Sequence, residues 1–145
     1  MTISIQPATT QDAPDMVSVG TRAFADDLMN QAFFDPRKAT PEQYEEFMKW
    51  RVERTHKRMG GLGALYFKAM DDSTGALLGV IGIAKPVEGQ SGPDADHALQ
   101  ATVTKPDFVN AGASEEMMKK QEEMNKKWVG DRKDVWCKYH VVGLS

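Results

Sequence analysis

Three histidines and one cysteine are the side chains best suited to chemistry in this chain of 145 residues. His140 lies in the alternating run Val135–Val142 near the end of the sequence. A free imidazole titrates near about 6.5, which suits taking a proton from an ammonium group, so His140 is the candidate general base. The plain alternative is a satisfied structural histidine on a strand. Cys137 alternates onto the apolar side of the same run and reads as a small core hydrophobe rather than a nucleophile. His56 and His97 have no partner at metal-ligand spacing, and Asp94 and Asp96 near His97 belong to an acidic loop, so no metal site is expected. A single cysteine excludes an internal disulfide and a cysteine-rich zinc site. Gly60-Gly61-Leu62-Gly63 resembles a phosphate loop in composition only. It follows a helix and precedes a strand, whereas a phosphate loop follows a strand and opens a helix, so it reads as a helix stop.

These residues depend on a small set of elements. Ile3–Pro7 alternates, with Ile3 and Ile5 on one side and Ser4 and Gln6 on the other, and predicts a first strand. Ala13, Met16, Val17, Gly20, Ala23 and Phe24 recur at helical spacing and predict a helix over 11–24, with Met16, Val17, Gly20 and Phe24 inward. Thr40-Pro41-Glu42-Gln43 is a capping box with proline at the first helical position. The helix it opens runs to Met59, with Tyr44, Phe47, Met48, Arg51, Val52, Thr55 and Met59 on one side. Ala64–Met70 and Ala76–Lys85 form a hairpin around Asp71-Asp72-Ser73-Thr74-Gly75, and the second strand is apolar enough to be central. Pro86–Gly112 reads as a long surface excursion. Ser114 caps a helix to Trp128 that carries four Glu–Lys pairs at i,i+4. In the last strand, Trp136, Lys138, His140 and Val142 alternate with Cys137, Tyr139 and Val141.

Hydrophobic residues make up 41% and charged residues 27%, which describes a globular domain. The net charge of −3 argues against a general nucleic-acid binder. The longest apolar run, Ala76–Ala84, is far too short for a bilayer span, and MTISIQPATTQD has no basic region before an apolar core. The expectation is a cytoplasmic chain with no nucleic-acid or membrane partner, folded as one domain over 1–145 with an insertion at about 86–130.

The order strand, two helices, hairpin, insertion with a helix, strand resembles the N-terminal half of a GNAT-family N-acetyltransferase of the fungal type. The segments that carry the resemblance are ISIQPATTQDAPDM, AFADDLMNQAFFDP, GALYFKAMDDSTGALLGVIGIAKP and KWVGDRKDVW. It implies an α+β fold, an antiparallel sheet flanked by helices, ending after the fourth strand. It also implies acetyl-CoA as co-substrate and a small-molecule or peptide amine as acceptor. By resemblance Val141, Val142 and Gly143 lie where the fourth strand meets the pantetheine arm. Phe33 and Phe34 lie where the first helices line the acceptor site, with core packing as the alternative. Asp26 and Asp27 stand beside them and could meet a cationic acceptor or simply be solvated.

The family continues from this strand into a Q/R-x-x-G-x-G/A segment that cradles the diphosphate of coenzyme A on backbone N–H groups. Here only Gly143-Leu144-Ser145 follow the strand. The resemblance therefore implies acetyl transfer as the activity, and the missing loop implies that this chain alone is inactive. An early stop in the coding sequence would explain the missing loop. The competing reading is a non-catalytic fragment or protein–protein interaction module. An open edge at the last strand predicts self-association, with Trp136 and Val142 exposed.

Overall fold

The computed structural model describes residues 2–61, 63–84, 103–128, 130 and 137–142, with the backbone alone at 84, 111, 114, 117, 118, 121, 125 and 137–142. Four strands form one antiparallel sheet in the order β1 (Ile3–Pro7), β2 (Ala64–Asp71), β3 (Leu77–Ala84), β4 (Cys137–Val142). The helices are α1 (Ala13–Ala23), α2 (Leu28–Phe33), α3 (Pro41–Met59) and α4 (Ala111–Trp128). The fold is α+β, as the sequence implies, and β3 is internal between β2 and β4.

Local chemistry sets the element ends. Thr40 caps α3: the Gln43 amide donates to Thr40 Oγ1 at 3.2 Å, and the Thr40 amide donates to Gln43 Oε1 at 3.0 Å. Acidic Glu42 sits in the first turn and His56, Lys57 and Arg58 in the last, which matches the helix dipole at both ends. The β2–β3 turn is held by Asp71, whose Oδ1 accepts from the Ser73 amide at 2.9 Å, while Gly75 supplies the left-handed backbone at φ 69°. A short 3-10 turn at Thr10–Asp12 precedes α1, so the predicted helix start at 11 falls inside that turn.

α1 covers one face of the sheet. Met16 and Val19 pack on Val80, with Tyr66, Leu77, Ala8 and Met59 around them. Lys68, level with Val80, shares that face and reaches the Asp12 carboxylate at 2.6 Å. Phe24 does not join this core: it is 38% exposed, because α1 ends at Ala23 and the chain turns away. On β1 the register sets Gln6 beside Lys68, so the polar side of the strand faces α1, while Ile3 and Ile5 are exposed on the other.

A second core lies between α2, α3 and the segment leading into α4. Phe34, Phe47, Trp50, Val103 and Val109 are buried there. Trp50 is core and Tyr44 is exposed, which corrects the predicted inward stripe of α3. Residues 103–110 are not a surface excursion: Val103, Pro106 and Val109 are buried, and the Asn110 amide donates to the Phe33 carbonyl at 3.1 Å. Asn110 Nδ2 also reaches the Ala32 carbonyl at 3.2 Å, and Asn110 Oδ1 accepts from the Ala113 amide at 3.3 Å. Asn110 therefore opens α4, and Ser114 lies inside the helix. Two of the expected pairs on α4 form, Glu116–Lys120 at 3.0 Å and Glu122–Lys126 at 2.9 Å.

Candidate functional site

β4 carries the sequence-predicted site, and its register is irregular. Val142 pairs with Val80, Val141 with Ile81 and His140 with Gly82, but Ile83 pairs with Lys138. Tyr139 is thus the extra residue of a β-bulge, which breaks the ladder and re-aims the chain. The bulge also corrects the expected alternation: Lys138 and His140 stand level with consecutive residues of β3 rather than with residues of one face. β4 is an edge of the sheet among the described residues, so one side of its backbone is unpaired with any described strand.

The bulge adjoins a close contact on the neighbouring strands. Gly82, level with His140, lies against the Tyr66 ring, and a Cβ at 82 would stand 2.6 Å from Tyr66 Cε1. The Tyr66 ring on β2 therefore lies over β3 at the row of His140. Nothing in the sequence pattern singled out Tyr66; the signal was the glycine inside an apolar strand, which marks a close approach. Gly143, Trp136, His97, Asp94 and Asp96 lie outside the described residues.

The other candidates are brought to different places. Phe34 is 9% exposed and stacks on Phe47 with ring centroids 4.0 Å apart. Phe33 is half-buried and stacks on Trp50 at 5.9 Å. Both belong to the second core, and burial explains them without a ligand. Asp27 caps α2 by accepting from the Asn30 amide at 2.8 Å, while Asp26 is exposed. The exposed apolar residues of this region are instead Leu28 and Met29, with Phe24 beside them in sequence. Asp35 is tied by Arg37, whose Nε stands 2.9 Å from Oδ1, and this hydrogen bond lowers the Asp35 pKa to about 2. The fork closes the turn into α3. A depression of about 240 Å³ on the first half of α3 is lined by Glu42, Glu45, Glu46 and Lys49, a solvated charged surface away from β4. Among the described residues no group of His, Cys, Asp or Glu could hold a metal ion, and no helix is long and apolar enough to cross a membrane.

This arrangement has a counterpart among solved structures. A crystal structure described as histone acetyltransferase HPA2 and related acetyltransferase, from Corynebacterium glutamicum, matches with a TM-score of 0.51 at 18% identity, over 100% of this chain. The chain has a GNAT-like acetyltransferase fold. At that identity the likeness speaks for the fold alone, and this chain spans 62% of the length of that protein. No family model and no curated protein sequence matches the chain.

Proposed function

We propose that the chain is an N-acetyltransferase domain of GNAT type, moving acetyl from acetyl-CoA to the amine of a small molecule or peptide. The observation that carries this reading is the bulge at Tyr139 on an edge strand of that fold. A bulge leaves a backbone N–H without its ladder partner, and a strand N–H aimed at a thioester carbonyl stabilises the oxyanion formed as the amine attacks. In this proposal Val141, Val142 and Gly143 lie along the pantetheine arm, and His140 or a water takes the proton from the ammonium acceptor. The amine then attacks the thioester carbon, the C–S bond breaks, and coenzyme A leaves as the thiolate, which takes up a proton. In this proposal the acceptor meets Leu28 and Met29, which are exposed and follow Phe24 in sequence. The cytoplasm is kept as the working location.

The direct experiment is transfer of labelled acetyl from acetyl-CoA to a panel of primary amines. Turnover above the uncatalysed rate that falls with His140→Ala supports the assignment. Saturable donor binding with no transfer to any amine counts against it.

A second reading is an interaction module that uses the same sheet. It is favoured by the uncovered side of β1 and β2, where Ile3 is 53%, Ile5 67% and Leu65 38% exposed. Apolar surface of this kind beside an open strand edge promotes association, including self-association through β4. A monodisperse monomer in light scattering across a wide concentration range counts against the self-association.

A further inference from the structure

The seam between α1 and α3 holds a guanidinium that pairs with no carboxylate among the described residues. Arg51 is half-buried, and its Nη1 donates to Thr21 Oγ1 at 2.7 Å. Its guanidinium carbon stands 5.7 Å from the centroid of the Phe47 ring. The Thr21 hydroxyl gives its own proton to the Val17 carbonyl at 2.8 Å, so towards Arg51 it only accepts. Both partners of the guanidinium are neutral. Other cations of the fold are treated differently: Lys68 is 19% exposed and pairs with Asp12, and Arg37 pairs with Asp35. Among the described residues no carboxylate pairs with Arg51.

The remaining titratable groups that act on Arg51 are Tyr44 and Arg58, two turns away on either side along α3. Burial lowers the Arg51 pKa, and the positive charge of Arg58 lowers it further. A guanidinium withdrawn from water without an anion is unfavourable unless an anion joins it. A guanidinium fork matches a carboxylate or a phosphate through two parallel hydrogen bonds.

We propose that Arg51 is the centre of a binding site for a compact oxyanion, a carboxylate or phosphate group, entering the α1–α3 seam. Thr21 holds the guanidinium in place from α1, and the remaining N–H groups of Arg51 receive the ligand. This inference does not rest on acetyl transfer, because neither the thioester donor nor β4 takes part in it.

The test follows the Arg51 side-chain Nε–Hε resonance of the whole chain by NMR. Sodium phosphate and sodium acetate are titrated separately at constant ionic strength made up with chloride. The expected result is a saturable shift with a dissociation constant of roughly 1–10 mM, the affinity of one or two charged hydrogen-bond pairs. Response to phosphate alone assigns a phosphate-bearing ligand, and response to both anions, or to acetate alone, assigns a carboxylate as a sufficient ligand. Arg51→Lys keeps the charge and loses the fork, so the saturable shifts of the neighbouring Thr21 and Phe47 resonances weaken about tenfold. Thr21→Val keeps the ligand-binding N–H groups and retains saturable binding. A flat or merely linear response of the wild-type resonance to both anions overturns the proposal, and so does unchanged affinity in Arg51→Lys. If the variants fail to fold, the wild-type titration decides by itself.

Discussion

The ring of Tyr66 occupies the space that a side chain at Gly82 would need, with Cε1 2.6 Å from where a Cβ would lie. The contact sits on the row of β3 that pairs with His140, next to the bulge of β4. Glycine at 82 therefore lets a β2 side chain lie over β3 on the row that pairs with His140. Gly82→Ala forces the ring aside and is expected to cost about 1–3 kcal/mol, the range for an overpacked core. Urea unfolding measures it. A substitution without effect would mean that the ring moves freely.

Acid sensitivity should come from Asp12. Its pKa is lowered, first by the hydrogen bond from Lys68 and then by the Thr9 amide. An aspartate in the unfolded chain titrates near about 3.9. The pair therefore contributes stability above that pH and loses it as the pH falls through the lower, folded value. Lys68→Met is expected to cost about 1 kcal/mol at pH 7. The cost should shrink below pH ~4 and vanish once Asp12 is protonated in both states. Urea titrations of both proteins across this range provide the check, and a cost independent of pH would contradict it.

Trp50 is 6% exposed, yet its indole N–H has no acceptor among the described residues. The ring contributes by packing on Phe33 and Phe47, at 5.9 and 5.8 Å. Removing the N–H while keeping an aromatic ring should therefore be cheap. Trp50→Phe is expected to stay within about 1.5 kcal/mol of wild type, and Trp50→Ala to lose about 3–5 kcal/mol. Thermal or urea unfolding separates the two, and equal losses would mean that the N–H is bonded after all.

Much of the fold was legible because its signals are local. The Thr40–Gln43 box, the Asp71–Gly75 turn and the apolar run of β3 each fix an element from a few neighbouring residues. What the sequence concealed depends on contacts between distant segments. Val103, Pro106 and Val109 look like loop residues until Phe34 and Trp50 are seen to cover them. Phe33 and Phe34 suggested a ligand groove through the family resemblance, and the segment before α4 that packs on Phe34 carries no periodic signal to point to the core instead. The bulge at Tyr139 was hidden for the same reason. Strict alternation in CKYHVV gives no sign of it, and only the register against β3 exposes the extra residue.

The central claim is that the β4 backbone at and beyond this bulge receives the pantetheine arm of an acyl donor. It is tested most directly by an amide NMR titration of the chain with S-acetyl-pantetheine, which lacks the nucleotide and its phosphates. The account predicts, with S-acetyl-pantetheine and with acetyl-CoA alike, saturable shifts confined to the amides of Tyr139–Val142 and their β3 neighbours Val80–Gly82. The absence of any saturable shift on β4, with either ligand, would contradict it.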